Sequence, residues 1–417
     1  MTRPGFLIFA LLLLLLVFAL DLYVYQGVKS LTAPLQHSLL RQAIRWGHWI
    51  ISIALPVFML AALLYWGRMN TYATMAGSLF LTMLATKVVF VFVLMGEDLW
   101  RFAEGSMQWI GGKSQSDQGF LPDRRQFVSQ VALGIATVPF TSFLYGITRG
   151  KHNYKIHRHT VYFKDLPSAF DGFTITQLSD IHSGSFRDPE AVRRGVELVN
   201  AQRSDLFVFT GDLVNSLAAE FEPWISVFRQ IEAPFGTYSI LGNHDYGDYH
   251  QWDDEQDKQR NFEALKAHHA TVGFRLLLDE HVTLEKDGEQ IALLGVENWG
   301  LGFGQRGDLQ KALKGLPAES FKVLLSHDPT HWDHQVKADP NPIQLTLSGH
   351  THGMQVGVEI PGFRWSPVKY RYPKWAGLYE EAGRYLYINR GFGYLGFHGR
   401  VGIWPEITVL ELRRADV

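Results

Sequence analysis

The chain has 417 residues, which is long for a single domain and leaves ample length for a buried core. Lys and Arg number 39 against 41 Asp and Glu, so the charge balance gives no electrostatic reason to expect a nucleic-acid partner. The chain contains no cysteine, which excludes thiolate metal sites, disulfides and cysteine nucleophiles.

The N-terminal part, residues 1–150, is predicted to be a transmembrane region of about four helices. Its apolar stretches are residues 6–25, 49–66, 73–95 and 127–147, and about 20 apolar residues in a helix cross the hydrocarbon core. The first stretch lacks a small-residue cleavage site, so we interpret it as a retained helix. Lys87 lies inside the third stretch, where it could mark a polar pathway, or simply face other helices or snorkel outward.

The sidedness of these helices is not decided by the Lys and Arg of the connecting segments, which divide evenly between the two faces. Arg124 and Arg125 precede an apolar stretch, a pattern that resembles a twin-arginine export signal. Such a signal would keep the arginine pair in the cytoplasm. We therefore predict a multi-pass protein of the cell (inner) membrane with its C-terminal domain on the extracytoplasmic face, and the reverse orientation as the alternative.

Residues 154–414 are typical of an α/β domain, because short β-rich runs alternate with helical or turn-rich segments. We expect the strands to form two packed β-sheets flanked by helices in one domain of about 250 residues. The candidate strands are residues 173–178, 206–210, 238–241, 291–295, 323–326, 344–347, 385–389 and 407–412.

Five polar clusters each follow a predicted strand, which is where α/β folds place their ligand sites. They are Asp180-Ile181-His182, Gly211-Asp212, Gly242-Asn243-His244-Asp245, Ser326-His327-Asp328 and Gly349-His350-Thr351-His352. In extended backbone, residues two apart point the same way, so the two ends of Asp-x-His and of His-x-His are each expected to converge on one site. Imidazole, carboxylate and amide ligands together suit Mn, Fe or Zn better than Mg or Ca. Each cluster alone is a weak signal, because a single His or Gly-Asp after a strand is more often structural.

The order of the five clusters resembles that of the calcineurin-like metallophosphoesterase superfamily. Gly-Leu-Tyr at 377–379 and Asn-Arg-Gly-Phe-Gly at 389–393 look like its membrane-anchored bacterial branch. The resemblance implies a four-layer sandwich of two mixed sheets and a pair of divalent metal ions. It implies that one ion is bound by Asp180, His182, Asp212 and His352, and the other by Asp212, Asn243, His327 and His350.

The resemblance also implies catalytic roles. His244 matches the family histidine that approaches the scissile phosphate without binding metal, so we expect it to protonate the leaving oxygen or stabilise transition-state charge. Asp245 is expected either to orient His244 or to cap the following turn. Arg390 and Arg400 are candidate substrate-binding residues, although an isolated arginine is more often structural.

The segment 363–397 is rich in Trp, Tyr and Gly, which allows two interpretations. It could form a loop over the active site that contacts an acyl chain or the bilayer surface, since Trp and Tyr favour that boundary. It could equally be a long loop with ordinary packing. Just before it, Met354 stands where the resembled branch usually has Gly, which leaves substrate details open.

The leading functional hypothesis is a membrane-anchored, dinuclear-metal phosphohydrolase that cleaves a phosphoester or pyrophosphate bond by metal-activated hydroxide. The anchor favours an amphiphilic substrate, and analogy with relatives of that branch suggests a lipid-linked one such as a UDP-diacylglucosamine-like molecule. The expected partners are this phosphorylated substrate and the lipid bilayer, with no nucleic acid and with the oligomeric state open. The alternatives are a membrane transport or sensor protein regulated by the metal-binding domain, and a catalytically inactive metal-binding module.

Overall fold

The computed structural model describes residues 3–66, 71–110 and 122–415. These residues divide after Tyr145 into two compact units. The part up to Tyr145 is the helical unit, and the part from Gly146 onward is the sheet unit. Each unit has its own architecture.

Within the described residues, the helical unit contains α1 (Arg3–Thr32), α2 (Ser38–Trp66), α3 (Thr71–Ile110) and, as far as Tyr145, α4 (Pro122–Thr148). Each helix is long and apolar enough to cross a membrane, which confirms the expected N-terminal region of four apolar helices. The helices extend beyond the predicted apolar stretches, because hydropathy marks the lipid-facing part of a helix and not its polar ends.

A polar cluster lies among α1, α2 and α3, and we call its members, Asp21, His48, Ser52 and Lys87, the intramembrane cluster. Lys87 Nζ lies 2.6 Å from Asp21 Oδ1 and donates to Ser52 Oγ at 2.9 Å. Ser52 donates to Asp21 Oδ1 at 2.8 Å, and His48 Nε2 lies 3.2 Å from the backbone oxygen of Asp21. Lys87 therefore faces the other helices, where the Asp21 carboxylate neutralises its charge.

The arginine pair at the start of α4 contacts α3. Arg124 Nε lies 3.2 Å from Glu97 Oε1, and Arg125 Nη1 donates to Asp98 Oδ1 at 2.6 Å. The two arginines therefore join the start of α4 to the side of α3. The extracytoplasmic orientation that the pair suggests stays a prediction.

Two mixed β-sheets form the centre of the sheet unit. In spatial order, the first is β1 (Lys155–Phe163), β14 (Glu406–Arg414), β2 (Thr174–Leu178), β3 (Leu206–Thr210), β4 (Thr237–Ile240) and β5 (Arg275–Leu276). The second is β12 (Gly377–Glu381), β13 (Arg384–Ile388), β9 (Leu345–Ser348), β8 (Lys322–Leu325), β7 (Glu289–Gly295) and β6 (Glu280–Lys286). β10 (Val358–Ile360) and β11 (Phe363–Trp365) form a separate antiparallel ribbon. The middle strands of each sheet are parallel, so their carboxyl ends lie along one edge.

Alternation of side chains along the strands builds the core. Val208 of β3 belongs to the same buried cluster as Leu293 and Leu345 of the second sheet, whereas Phe207 and Phe209 belong to the cluster on the opposite face. Each such fully buried side chain contributes about 1.5–3 kcal/mol. The outer faces are covered by α5 (Pro189–Asn200), α6 (Ile225–Phe228) and α7 (Glu255–Thr271) on the first sheet, and by α8 (Leu309–Leu313) and α9 (Thr330–His334) on the second. The predicted α/β fold of two packed mixed sheets with flanking helices is confirmed.

Each predicted strand begins and ends within two residues of an observed strand. The prediction missed β1, β6 and β12, which lie at sheet edges, as well as the short β5 and the ribbon. Edge strands carry polar residues that discourage further pairing, as in the sequence Glu-His-Val-Thr-Leu-Glu-Lys of β6. These residues mask the apolar alternation on which the prediction depends.

Candidate metal centre

The five polar clusters lie at the carboxyl ends of strands from both sheets. β2, β3, β4, β8 and β9 each end two or three residues before a predicted ligand. Several hydrogen bonds join the sheets at this edge. Gln177 Nε2 donates to Ser348 O at 2.9 Å, and the backbone N–H of His350 donates to Asp180 Oδ1 at 3.0 Å. The clusters are thereby held close to one another.

The first group of candidate ligands comprises Asp180, His182 and His352, whose ligand atoms lie within 4.8 Å of one another. His352 Nε2 lies 3.1 Å from Asp180 Oδ1 and 3.0 Å from His182 Nε2. All three residues are buried. One carboxylate and two imidazoles at these distances are able to hold a metal ion.

The second group comprises Asp212, His327 and His350, again with ligand atoms within 4.8 Å. The amide oxygen of Asn243 lies 2.8 Å from His350 Nδ1 and adds a fourth donor atom. Asp212 Oδ2 lies 3.2 Å from His327 Nε2 and 3.5 Å from His182 Nε2, so its carboxylate stands between the two groups. The structure thus brings together the seven residues that the resemblance assigns to metal binding.

Most of the candidate ligands have a left-handed backbone conformation, which sets the direction of their side chains. The φ angle is 53° at Asp180, 46° at His182, 63° at Asp212, 69° at His350 and 51° at His352. L-residues rarely adopt positive φ, which costs about 1–3 kcal/mol each and is typical of functional sites. The backbone at the ends of Asp-x-His and His-x-His is therefore not extended, contrary to the expectation from the sequence. As a result, His350 and His352 contribute to different groups.

Two glycines allow the ligand loops to approach each other. A Cβ at Gly242 would lie 2.2 Å from Asp212 Oδ1, and one at Gly349 would lie 1.8 Å from Ser179 Oγ. Real Cβ atoms essentially never approach another atom below 3.0 Å. A side chain at either position would push a ligand loop away, so the close packing of the centre requires glycine here.

Backbone carbonyls orient two of the imidazoles. His327 Nδ1 lies 2.7 Å from Thr210 O, and His182 Nδ1 lies 3.2 Å from Val214 O. A neutral ring that donates a hydrogen bond through Nδ1 keeps the lone pair of Nε2 free to bind a metal. Such outer hydrogen bonds fix the tautomer of metal-binding histidines. In the described part of the chain, His327 Nε2 has no hydrogen-bond partner.

His350 is oriented from the other side of its ring. Its Nε2 lies 2.9 Å from the Tyr372 hydroxyl and 3.3 Å from Asp328 Oδ2, which leaves Nδ1 facing Asn243. Tyr372 was not among the residues predicted for the centre. The signal that could have found it was its place in the aromatic segment 363–397.

Burial and charge set the protonation of the candidate ligands. Burial holds the pKa of His182 well below its usual value and also lowers the pKa of His350, so both rings are neutral. Burial opposes ionisation of Asp212, but His327 and His244 hold the pKa of this carboxyl well below its usual range. Burial also acts against a charge on His327, yet the Asp212 carboxylate outweighs it and raises the pKa of His327 to about 10.

These features fit a pair of divalent cations. Metal ligands must be deprotonated, and neutral imidazoles with ionised carboxylates largely meet that requirement. The unpartnered Nε2 of His327 lies 3.2 Å from Asp212 Oδ2 without hydrogen-bond geometry, as expected of two atoms that can share a cation. A cation there would replace the proton of His327 as the partner of Asp212.

His244 borders the first group. It is half-buried, its Nδ1 lies 2.7 Å from Asn215 O, and its ring centroid lies 4.4 Å from that of Tyr249. The His182 ring centroid is 4.9 Å away. The backbone N–H of His244 also donates to Asp212 Oδ1 at 2.8 Å, which ties its turn to the shared carboxylate.

Asp245 holds two of the loops together. Its carboxylate accepts hydrogen bonds from the backbone N–H groups of Asp212 at 2.9 Å, Leu213 at 2.8 Å and Gly242 at 2.8 Å. Burial and the Asp212 charge raise the pKa of Asp245 to about 7 against these hydrogen bonds. Asp245 therefore caps its own turn and also fixes the Asp212 loop, which goes beyond either sequence interpretation.

The two candidate substrate-binding arginines are buried and bonded within the protein. Arg390 Nη1 donates to Glu406 Oε2 at 2.6 Å, and its Nε donates to Glu359 Oε2 at 3.1 Å. Arg400 Nη2 donates to Gly393 O at 2.6 Å and lies 3.3 Å from His352 Nδ1. Arg400 thus borders the first group, and substrate binding by either residue stays a prediction.

The aromatic segment 363–397 divides into buried and exposed parts. Tyr372, Trp375 and Tyr394 are buried, whereas Phe363 is 54% exposed and Tyr370 is 77% exposed. The buried rings show ordinary packing, and the Tyr372 hydroxyl reaches His350 at 2.9 Å. Contact of the exposed rings with an acyl chain or the bilayer stays a prediction.

Comparison with known proteins connects this geometry to a family. The profile of calcineurin-like phosphoesterases matches residues 173–354, and that of a probable calcineurin-like phosphoesterase transmembrane domain matches residues 3–151. The uncharacterized metallophosphoesterase YkuE of Bacillus subtilis (strain 168) is 31% identical over 299 residues, which cover 70% of this chain and 98% of YkuE. The chain belongs to the calcineurin-like metallophosphoesterase family.

Two further relatives are similar to this calcineurin-like metallophosphoesterase. The phosphodiesterase YaeI of Escherichia coli (strain K12) is 28% identical, over 69% of this chain and 98% of YaeI. The transmembrane protein with metallophosphoesterase domain of Danio rerio is 30% identical, over 65% of this chain and 60% of its own length.

Family membership confirms several expectations. As a calcineurin-like metallophosphoesterase, the chain is a metal-dependent phosphoesterase. The family uses two divalent metal ions, and the two Asp/His groups are able to hold them. The transmembrane-domain match and the four apolar helices make it a membrane protein.

Proposed function

We propose that this protein is a membrane-anchored phosphohydrolase that cleaves its substrate at a dinuclear metal centre. The observation that carries the proposal is the position of Asp212, whose Oδ2 lies 3.2 Å from His327 Nε2 and 3.5 Å from His182 Nε2. A carboxylate within reach of both groups can bridge two ions. The proposed ligands are Asp180, His182, Asp212 and His352 for one ion, and Asp212, Asn243, His327 and His350 for the other.

The proposed general acid is His244. When bound, a pair of divalent ions supplies Lewis acidity and lowers the pKa of water, so that hydrolysis proceeds at neutral pH. The Asn215 carbonyl engages Nδ1 of His244, which leaves Nε2 to protonate the leaving oxygen or to donate a hydrogen bond in the transition state. Tyr249 packs against the ring and limits its rotation.

The proposed substrate is a phosphodiester or pyrophosphate in a lipid-linked molecule, such as one like UDP-diacylglucosamine. The named activity of YaeI, a phosphodiesterase, supports a diester. The four apolar helices support a substrate presented at a membrane. We also propose that this membrane is the cell (inner) membrane and that the sheet unit lies on its extracytoplasmic face, with the Arg124-Arg125 pair as support.

The test of this function is hydrolysis by the purified full-length chain with Mn, Fe or Zn added, and again after chelation. The substrates are bis-p-nitrophenyl phosphate, p-nitrophenyl phosphate and a lipid-linked pyrophosphate in detergent. We expect metal-dependent cleavage of the diester and the lipid pyrophosphate in preference to the monoester. Cleavage that survives complete removal of metal would contradict the proposal.

His327→Gln and His331→Gln form a matched pair for the same test. Both histidines are fully buried and follow β8, but His331 bonds to Ser326 Oγ at 2.8 Å and lies outside both ligand groups. We expect His327→Gln to lower bound metal and turnover, and His331→Gln to retain both. Equal metal content in the two variants would remove His327 from the ligand set.

A further inference from the structure

The ribbon of β10 and β11 turns an apolar face outward. Val358 pairs with Trp365 and Ile360 pairs with Phe363, and directly paired residues of an antiparallel ribbon lie on the same side. We call these four residues the apolar ribbon face. Val358 is 43% exposed, Ile360 58% and Phe363 54%, although the apolar side of a β-structure ordinarily packs on a core.

The opposite side of the ribbon is polar and fastened to the sheet unit. Glu359 accepts a hydrogen bond from Arg390 Nε at 3.1 Å, and Arg390 also binds the buried Glu406. The guanidinium of Arg364 lies 5.1 Å from the centre of the Trp375 ring. Since the polar side chains hold the ribbon in place, the apolar ribbon face is fixed in its outward orientation.

In the sequence, another exposed apolar residue lies between the candidate ligand His352 and the ribbon. Met354 follows the candidate ligand His352 by two positions and is 56% exposed. Its φ of 54° favours glycine, yet the position carries an apolar side chain. Lys369, Tyr370 and Arg371 are exposed shortly after β11. Apolar side chains accompanied by an exposed tyrosine and two cations are typical of surfaces that enter the headgroup region of a bilayer.

We propose that the apolar ribbon face binds the surface of a lipid bilayer. The chain is a membrane protein, so the sheet unit is tethered to a bilayer. Lys369 and Arg371 would meet anionic headgroups while the ribbon side chains enter the acyl boundary. This contact would deliver a lipid-linked substrate to the centre, a consequence that rests on the proposed function, whereas the contact itself does not.

Spin labelling of the full-length chain tests the contact directly. Because the chain contains no cysteine, a single introduced cysteine carries the only label. Ile360→Cys reports on the ribbon, and Tyr162→Cys on β1 is a matched control because Tyr162 is likewise 58% exposed. In vesicles of phosphatidylcholine and phosphatidylglycerol, we expect the label at position 360 to collide with oxygen and be shielded from an aqueous nickel complex. The label at 162 is expected to meet both, and equal access of the nickel complex at the two positions would overturn the proposal.

Two other occupants of the apolar ribbon face have distinct outcomes in the same experiment. Dipolar coupling between Ile360→Cys labels on neighbouring chains would assign the face to a second copy of the protein. A label that is aqueous in vesicles and becomes shielded only when a monomeric short-chain lipid is added would assign it to a single acyl chain. Either result would overturn the bilayer contact.

Substrate delivery is tested with Phe363→Asp, with Phe363→Leu as the matched control. We expect Phe363→Asp to lower hydrolysis of a lipid-linked pyrophosphate in vesicles about tenfold, the order expected when one apolar side chain no longer enters lipid. Hydrolysis of soluble bis-p-nitrophenyl phosphate should stay unchanged, and Phe363→Leu should retain both activities. An equal loss on both substrates would overturn the delivery role. A wild-type protein inactive on both would contradict the proposed function, and the label result would still decide the contact.

Discussion

Two of the buried polar clusters, the intramembrane cluster and the metal centre, lie in different units, and they differ in how completely their members satisfy one another. In the intramembrane cluster, the Asp21 carboxylate meets the Lys87 ammonium at 2.6 Å, so the charges balance. In the metal centre, His327 Nε2 has no hydrogen-bond partner within the described residues. In the same centre, His182 Nε2 lies 3.0 Å from His352 Nε2, and both nitrogens are able to bind a metal ion.

The two clusters also differ in the backbone conformation of their residues. The residues of the intramembrane cluster lie on regular helices, whereas five candidate metal ligands have positive φ. A buried polar cluster that is complete in itself fastens helices together, because each charge has a partner. One that is incomplete and held on strained backbone indicates a ligand. The two clusters should therefore respond differently to mutation.

The largest effect is expected from Asp212→Asn, which removes the carboxylate between the two ligand groups. We expect loss of bound metal and no measurable turnover of bis-p-nitrophenyl phosphate, because an amide cannot supply the bridging charge. Metal analysis and initial rates measure both. Asp279→Asn is the control, since Asp279 is buried in the same unit and accepts from the N–H groups of Glu297 and Asp308 at 3.0 Å. Full metal content in Asp212→Asn would mean that metal binding does not depend on this carboxylate, and that the centre is no less complete than the intramembrane cluster.

Lys87→Met should destabilise the helical unit by leaving Asp21 buried without its counter-charge. We expect the free energy of unfolding to fall by about 3–5 kcal/mol, the usual cost of breaking a buried ion pair. Thermal loss of folded protein in detergent measures this, and metal content should not change. The double variant Asp21→Leu with Lys87→Met should recover most of the stability. If the double variant were as unstable as the single one, the cluster would not be a self-contained pair.

His244→Gln separates proton transfer from metal binding within the sheet unit. We expect metal content to be retained and kcat for the diester to fall by about 10²-fold or more, because the leaving oxygen loses its proton donor. His250→Gln, at an exposed position of the same loop, should leave kcat unchanged. A drop in metal content in His244→Gln would instead place His244 among the ligands.

The smallest effect is expected from Tyr372→Phe, which removes the hydroxyl that lies 2.9 Å from His350 Nε2. We expect metal affinity to weaken about tenfold, the lower end for losing an outer hydrogen bond to a metal ligand, with kcat at saturating metal little changed. Titration of activity with metal measures the affinity, and Tyr370→Phe at an exposed position is the control. Unchanged affinity would mean that Asp328 alone orients the His350 ring.

Much of the fold could be predicted from the sequence because the central strands are continuous apolar runs, such as Leu-Phe-Val-Phe-Thr in β3. The polar clusters stood out because they interrupt that pattern directly after the strands. Spacing could not predict how the histidines divide between the groups. That division depends on left-handed backbone at His350 and His352, which local sequence pattern does not reveal.

Contacts between distant segments also escaped prediction. Lys87 pairs with Asp21, Arg390 pairs with Glu359, and the Tyr372 hydroxyl reaches a metal-site histidine. A hydrophobic pattern identifies which residues are buried in an element, but it carries no information about which other element supplies a partner. Only the folded structure of each unit shows which residues form these pairs.

The last strand of the sheet unit lies between its first two. β14 pairs in parallel with β1 and antiparallel with β2, so neither pairing exists until Glu406–Arg414 has been made. A ribosome therefore synthesises every candidate metal ligand before the strand that closes the first sheet. Completion of the first sheet therefore follows translation of all the candidate ligands. A nascent chain that stops before Glu406 would carry the entire ligand set on an open sheet, a state that proteases can recognise.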